Sequence, residues 1–536
     1  MRRLAPLVLA ACANSSAPPG GAVDDAGAAE TDAGPPFADV SAEMGLDFER
    51  EIHDAWLSLP DTMGGGACLF DLEGDGDLDL LFTDRTRARL YRMEGGRLQD
   101  ATAELPVPLT ESMGCATGDY DADGDLDLYV TSVLSDVLLR NDDGRLLDVT
   151  ADVGIDAPGY GTCAAWGDVD GDRDLDLFVG QFVGWGSVDH PEECTPLPCD
   201  LSLFASDPLP NLLWLNDGGT FREAAADRGM TEAEPTLACA MWDFEEDGDL
   251  DVFVANDIGA RYPDRLYRND GTGRFADVAP FFRMDEDDSG HGGDGMGVAV
   301  GDPDADGRWE VAVTNFQYFR VTYFDCDAVD CRDRGFEAGL DVTRELLSWG
   351  IGFEDFDLDG RQDLFISNGH VHTEEMQRVL GRTGEMEMRP QLLWNTGERY
   401  SQQDFPAGGA LEAARHGRGV AFGDLDADGD VDVVQAVASG RPWILRNDAA
   451  SGGFVRVRPV SPGTDAVGAV VRVRTAAGEQ MRAKVGGGSY LAASEDVLTF
   501  GIADATEADV EVSFAGGETV TLQGVPAGTT LVVEEP

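Results

Sequence analysis

The chain has 536 residues, 43% of them apolar, enough for more than one hydrophobic core and too many for wholesale disorder. Acidic residues outnumber basic ones 102 to 38, and the formal charge of −64 argues against nucleic acid or an anionic membrane as a direct partner unless cations intervene. Lys484 is the only lysine and the arginines form no cluster, so no phosphate-tracking groove is expected.

The first residues read MRRLAPLVLAAC: two arginines, a short apolar stretch, and Leu9-Ala10-Ala11-Cys12, which resembles the lipobox of bacterial lipoproteins. Residues 1–12 are therefore expected to be a lipoprotein-type signal peptide whose cleavage leaves Cys12 lipidated. Residues 13–36, rich in Ala, Gly, Pro, Ser and Asp, read as a flexible tether. An exported protein follows, tethered to an envelope membrane or cell surface only through a lipid anchor, or secreted. No other stretch approaches the length of a membrane span, which predicts a soluble body.

From Phe70 onward an acidic loop of the form D-x-[DE]-x-D-G-x-x-[DE], with single-residue variants, interrupts an apolar stretch seven times. Its leading aspartates lie 48, 49, 75, 59, 53 and 69 positions apart, the spacing of repeated supersecondary units with insertions. Positions one, three, five, seven and nine are Asp71, Glu73, Asp75, Asp77 and Asp79 in the first copy and Asp119, Asp121, Asp123, Asp125 and Asp127 in the second. The third copy has Asp168, Asp170, Asp172, Asp174 and Asp176, and the fourth Asp243, Glu245, Asp247, Asp249 and Asp251. The fifth has Asp302, Asp304, Asp306, Arg308 and Glu310; the sixth, Asp355, Asp357, Asp359, Arg361 and Asp363; the seventh, Asp424, Asp426, Asp428, Asp430 and Asp432.

A small-residue segment such as MGVAV or WGIGF precedes each loop and an apolar run such as LDLYV follows it, the pattern of two strands, A and B, in a hairpin. Further on, LLRNDDG, LLWLNDGG, LYRNDGTG and LLWNTG read as a strand C turning through Asn-Asp-Gly or its like into a short strand D such as FADV. Four antiparallel strands in seven units predict an all-β chain with a seven-bladed β-propeller over residues 37–453. The fragment Phe37-Ala38-Asp39-Val40 reads as a strand D lying ahead of the first loop, while the last unit ends at Asn447-Asp448 without one, so the N-terminal fragment is expected to complete the seventh blade.

In this phase the A–B and C–D turns share one face of the ring. Most long insertions, Phe48 to Met63, Phe182 to Pro210, Phe281 to Gly295 and His370 to Pro390, fall on the other, where long loops are expected to recognise a partner. Cys194–Cys199 and Cys326–Cys331 are spaced for local disulfides in an oxidising compartment. Cys68, Cys115, Cys163 and Cys239 sit just ahead of acidic loops and read as small buried strand residues rather than reactive thiols. His370 and His372 in NGHVH, near Glu374 and Glu375, read as loop histidines bonded to backbone, or alternatively as a transition-metal or acid–base pair. The acidic DEDDSGHGGDG from Asp285 reads as a solvated loop or an extra cation site. From Phe454 to Pro536 short alternating strands with Gly-rich turns and no acidic loop predict a second, small all-β domain.

The acidic loops with their LYRNDG companions resemble the FG-GAP/VCBS repeats of integrin-α-like propellers. The tail, with GAVVRVR, GGGSYLAASE and FGIAD, resembles the ASPIC/UnbV domain, and the order of the two, with WGIGFEDFDLDGRQDLFISNGHV, resembles the cartilage acidic protein-like (CRTAC1-like) family. The resemblance implies an extracellular, calcium-loaded propeller and hands over no catalytic triad.

The residues support calcium independently. Alternate side chains of a tight loop converge, so positions one, three, five and nine offer carboxylates and position seven a backbone carbonyl, and hard oxygen donors without His or Cys select Ca²⁺ over zinc or copper. Arg308 and Arg361 are harmless at a carbonyl position, whereas Arg173 replaces the loop glycine of the third copy and must take a conformation that Gly adopts more easily. Up to seven Ca²⁺ ions are expected, in a structural role, since protein ligands leave little room for the open position of a hydrolytic metal. The expected function is a calcium-stabilised binding or adhesion module that recognises a protein or glycan through the loop-rich face. No Ser-His-Asp ordering, Walker loop or dinucleotide fingerprint is present and no catalytic residue is assigned. The alternatives are an exported propeller hydrolase or lyase using the central channel with His370 and His372, and a structural component of an envelope or secretion assembly.

Overall fold

The computed structural model describes residues 36–51, 59–184, 207–327, 329–371, 385–402 and 409–536. Cys12 and its lipobox, the tether to residue 35, the Cys194–Cys199 pair, most of the 182–210 insertion, and His372, Glu374 and Glu375 lie outside the described residues.

The chain is a β-propeller followed by a small β domain. Among the described residues it forms seven sheets in which an A–B–C–D strand succession pairs antiparallel in that order. The seven A strands are Ala67–Phe70, Ser112–Gly118, Gly161–Gly167, Thr236–Trp242, Gly295–Gly301, Ser348–Glu354 and Gly417–Gly423, and each packs on the next, the last returning to the first. We number the sheets, as blades 1 to 7, in that order. Strands A and B are buried on both faces because each blade is sandwiched between two others; Asp251–Asn256 of blade 4, for example, has no exposed residue. An apolar cluster fills each interface, including the one between the last and first sheets, where Leu69, Leu80 and Phe82 meet Ala421, Val434 and Ile444.

Phe37–Asp39 lies antiparallel to Trp443–Asn447, with Phe37 opposite Asn447 and Asp39 opposite Leu445. Phe37 is 1% exposed, its ring 5.5 Å from that of Phe356. Blade 7 is thus built from both ends of the propeller segment, and its C strand Trp443–Asn447 is paired on both sides.

Four cysteines whose pairing the sequence left open are joined in two bonds. Cys68, Cys115, Cys163 and Cys239 are buried as anticipated, with Cys68 bonded to Cys115 and Cys163 to Cys239. Each pair joins A strands of successive blades, with Cα atoms 6.2 and 5.8 Å apart. Cysteines one repeat apart at one phase of adjacent A strands face each other, a relation invisible when each is read against its own strand. Cys326 and Cys331 form the anticipated local bond.

In the C-terminal domain Gly453–Val460 is flanked by Leu498–Ala503 and, in parallel, by Thr529–Glu534. A second sheet orders Glu479–Ala483, Val470–Arg474, Glu507–Ser513 and Thr519–Pro526. Val455, Val471, Phe500 and Val512 form the core between them. The domain sits on the face of the ring that carries the acidic loops. Phe454 packs over Gly429, Ala503 donates its N–H to Leu358 O at 3.0 Å, and Arg482 pairs with Glu354 at 2.5 Å.

Its segment Gly486–Ala493 enters the ring along the axis. Gly486 and Gly487 add a fifth strand to blade 4, and Gly488, Ser489 and Ala493 donate their N–H groups to Cys239, Val298 and Ala67 carbonyls at 2.8, 2.6 and 3.0 Å. Tyr490, fully buried, packs its ring 4.8 Å from Trp349 and donates its hydroxyl to Met63 O at 2.9 Å. The small A-strand residues now have a reason: a Cβ at Gly66 or Gly419 would lie 2.1 Å from Leu491 O or 2.7 Å from Tyr490 O.

Candidate metal centres

Each acidic loop connects strand A to strand B, and its ninth residue is the first residue of strand B, as in Asp79–Phe82 and Asp127–Ser132. Two left-handed residues wind it. Position six carries the expected glycine, and position four is left-handed as well even where it is Ala122, Glu246, Ala305, Leu358 or Ala427, with φ between 55° and 58°. Arg173, in the place of glycine, takes φ 73°, and its N–H still donates to Asp168 at 2.9 Å as the glycine N–H groups do in the other copies.

The carboxylates divide the work. The first aspartate accepts the N–H groups of positions five and six, as Asp119 does from Asp123 and Gly124 at 3.0 and 2.9 Å. The ninth, in the six copies where it is Asp, accepts from position two and from strand C, as Asp127 does from Tyr120 at 3.0 Å and from Asn141 at 2.8 Å; Glu310 of blade 5 accepts neither. These bonds fix two carboxylates and leave their remaining lone pairs turned to the loop centre. Three ligand atoms lie within 4.8 Å of one another in Asp119, Asp121 and Asp127; in Asp168, Asp170 and Asp176; in Asp302, Asp304 and Asp306; in Asp355, Asp357 and Asp359; and in Asp424, Asp426 and Asp432.

The loops of blades 1 and 4, with Glu at position three, do not gather three such atoms so closely. There Glu73 pairs with Arg92 and Glu245 lies 3.6 Å from Arg268, both arginines on strand C. At position seven Arg308 donates its N–H to Asp306 at 3.0 Å. Arg361 folds its guanidinium onto Asp359 and reaches Asn395 O at 3.1 Å.

The donor set fits a hard cation, and the reason is a shortage of donors. Asp121 Oδ1, Asp170 Oδ1, Glu245 Oε2, Asp430 Oδ1 and both carboxylate oxygens of Glu310 are buried without a hydrogen-bond partner, an expensive state for an acceptor unless a cation supplies the missing charge. Burial pushes the Glu310 carboxyl up to about 11, with repulsion from Asp304, Asp302 and Asp306 adding to it. Burial likewise lifts Asp127 and Asp430 to about 9 and Asp176, Asp251 and Asp432 to about 8, neighbouring carboxylates contributing in each case. A dication among them would reverse the repulsive part of these shifts. Ions held so would be structural staples of the A–B hairpin.

The asparagine that closes strand C has a role that reading it only as a turn residue misses. Its side chain donates to the position-two carbonyl of an adjacent blade's loop: Asn141 to Leu72 O at 2.9 Å, Asn216 to Tyr120 O at 3.0 Å, Asn269 to Val169 O at 2.8 Å, Asn395 to Pro303 O at 2.7 Å and Asn447 to Phe356 O at 2.8 Å. Each acidic loop so reached is bolted to the next blade. The signal was the recurrence of Asn at one place in LLRN, LLWLN, LYRN and LLWN.

His370, by contrast, is buried, with its ring edge-on to Phe316 and its carbonyl accepting from His416 and Arg418. His372, its partner in the catalytic alternative, lies outside the described residues. On the axis that the catalytic alternative would use, Gly486–Ala493 is bonded to A strands of blades 1, 4 and 5, beside a cavity of about 200 Å³.

Comparison with known proteins agrees with this construction. Residues 71–130, 243–313 and 355–435 match the FG-GAP-like repeat, and residues 460–536 match ASPIC and UnbV. The chain is 26% identical over 307 residues to cartilage acidic protein 1 of Mus musculus and 25% identical over 312 residues to that of Homo sapiens. Each match covers 56% of this chain and, respectively, 45% and 44% of the relative, so the chain spans about half the length of the curated relatives it matches. Among solved structures it is similar to BBS1N in a crystal complex with ARL6DN, at 12% identity and a TM-score of 0.39, over 77% of this chain and 98% of that one. A likeness that distant bears on neither site nor function.

Proposed function

From a chain that carries FG-GAP-like repeats ahead of an ASPIC and UnbV domain, and so belongs with the cartilage acidic protein-like proteins, we propose an exported, calcium-stabilised binding module that engages a protein or glycan through the propeller face opposite its acidic loops. One observation carries the choice of face. The acidic-loop face is covered by the C-terminal domain and the axis is occupied by its Gly486–Ala493 segment, which leaves the B–C and D–A connections to meet a partner. That face presents Tyr318 and Phe336, 58% and 66% exposed, beside Val342 and Arg344. Aromatic side chains and arginine are the side chains from which protein and glycan contacts are commonly built.

Export is supported by the three disulfides, which persist in oxidising compartments, and tethering by the lipobox at Cys12. The occupied axis weighs against the channel hydrolase or lyase. Binding is tested on glycan arrays and on envelope proteins with the full chain and with a Tyr318→Ser, Phe336→Ser variant. We expect retained folding and lost binding in the variant; catalytic turnover, or binding indifferent to both changes, would overturn the reading. Calcium is tested by melting the protein in chelator and again after calcium is restored. Extracellular oxygen sites have Kd on the order of 10⁻⁴ to 10⁻³ M, so millimolar calcium is expected to recover the melting temperature.

A further inference from the structure

We propose that the acidic loops of blades 6 and 7 seat the part of the C-terminal domain that leads into the ring, beside the blade 3 and blade 4 loops that Glu535 and Arg472 reach, so that cation binding in the first two controls whether the Gly486–Ala493 segment stays inside the ring. This rests on the reading that the loops bind calcium.

Four contacts carry it. Asp355, first in the blade 6 loop, accepts Gly360 N–H at 2.9 Å from its own loop and Gly501 N–H at 3.1 Å from the domain, on the same oxygen. Leu358, the left-handed fourth residue, offers its carbonyl to Ala503 N–H at 3.0 Å, and a Cβ at Gly501 would lie 2.4 Å from its Cα. In blade 7, Asp424 accepts Gly429 N–H at 3.0 Å and pairs with Arg456 at 2.9 Å on one oxygen. A Cβ at Gly429 itself would lie 2.0 Å from the Phe454 ring. Three of these contacts need the backbone shape that the loop takes when its carboxylates converge, and convergence without a cation is opposed by their repulsion. The Arg456–Asp424 pair runs the other way, since a carboxylate relieved of its cation holds a guanidinium more tightly, but it is one contact against three.

The consequence reaches the axis. Between the seat and the plug the domain is continuous: Glu495, which pairs with Arg456, also donates its N–H to Phe422 O at 2.9 Å and accepts Asp424 N–H at 3.0 Å, and Ser494 accepts Phe422 N–H at 3.1 Å. Two residues earlier the plug begins, with Ala493 on Ala67. A loosened seat therefore pulls directly on the segment that closes the ring.

Hydrogen exchange of the full chain tests this, with the Glu507–Ser513 strand of the C-terminal domain, to which no acidic loop is joined, as internal reference. The informative variants are Asp357→Asn and Asp426→Asn, which belong to the blade 6 and blade 7 carboxylate groups without bonding to the domain, and Asp304→Asn in the blade 5 loop as control. In millimolar calcium the double variant Asp357→Asn, Asp426→Asn is expected to exchange the 486–493 amides about tenfold faster than the unmodified chain, as chelator does to the latter, a change within the range of site-to-site coupling. Asp304→Asn is expected to leave them protected. Absence of bound calcium in metal analysis of the untreated protein would overturn both this inference and the calcium reading. Bound calcium with unchanged plug exchange in chelator, or acceleration shared equally by the reference strand or by Asp304→Asn, would overturn this inference alone.

Discussion

The ninth aspartate of a loop shows how one residue serves fold and chemistry together. Asp127 holds the loop by accepting Tyr120 N–H and strand C by accepting Asn141 N–H, and keeps lone pairs for the centre that Asp119 and Asp121 face. Replacing Asp121 and Asp123 by Asn keeps shape and hydrogen-bonding capacity but removes two charges from a cation's ligands. Losing one ion bound at about ten times its Kd costs about 1.4 kcal/mol by mass action, so a lower melting temperature in calcium is expected. The same swap at the exposed Asp152 and Asp156, which make no side-chain bond, is expected to change nothing, and equal effects would mean that general charge is at stake rather than coordination. A second residue supplies a pH test away from the loops. Burial pushes the Asp136 carboxyl up to about 7, against the bonds it accepts from Tyr129 at 2.8 Å and Ser132 at 2.7 Å. The folded state therefore keeps this proton to higher pH than the unfolded chain. Its contribution to stability is greatest below about pH 4 and falls by about 1.4 kcal/mol per pH unit until about pH 7, where it levels. Asp136→Asn can donate to the Tyr129 oxygen and still accept Ser132 N–H, and lacks that fall. The melting temperature of the variant relative to the unmodified chain is expected to climb from pH 4 to pH 7 at saturating calcium, and a flat difference would remove Asp136 from the account.

At the scale of elements, the hairpins were legible because their chemistry is local. The loop motif, the apolar B strand after it and the Asn-containing turn each lie within a dozen residues, and the structure places A, B, C and D as that grammar predicts. What joins one element to another was not legible, because it depends on which residues become neighbours across an interface. The Asn of strand C reads as a turn former until Asn269 Nδ2 is seen on Val169 O, 100 residues away. The glycines of the A strands read as a small-residue preference until Leu491 is seen against Gly66 and Gly114. Cys163 and Cys239 belong to the same class of miss. Their bond spans 76 residues and that of Cys68 and Cys115 spans 47, whereas Cys326 and Cys331 span 5. Chain entropy assigns about 4 to 4.5 kcal/mol to the two long closures and about 2 kcal/mol to the short one. Paired Cys→Ser replacements are accordingly expected to lower stability in the order 163/239, then 68/115, then 326/331. A result in which the local pair matters most would show that the inter-blade bonds do not restrain the unfolded chain as supposed.

For the whole molecule, closure is the property on which the others depend. Every C strand of the ring is paired on both sides only if the last sheet is finished, and the residues that finish it come from the other end of the propeller segment. Phe37, Val40 and Leu46 are all buried, Val40 donates its N–H to Ile444 O at 3.0 Å, and Ser41 offers its hydroxyl to Ile444 N–H at 2.9 Å. The seam also meets the plug from the far side, since Arg418 of the blade 7 A strand stacks 4.2 Å over Trp349 beside Tyr490. Deleting residues 13–46 removes the closing strand and exposes the C-strand edge Trp443–Asn447, whose neighbours Trp443 and Leu445 are at most 1% exposed in the intact ring. Deleting only residues 13–34 leaves every one of these contacts in place. The longer truncation is expected to aggregate or to melt well below the shorter one, with faster exchange spreading from blade 7 into blade 1 across Leu69, Phe82 and Ile444. If the two truncations melt together, the N-terminal strand is not what holds the ring, and the division into a capped face and a free face must then rest on the C-terminal plug alone.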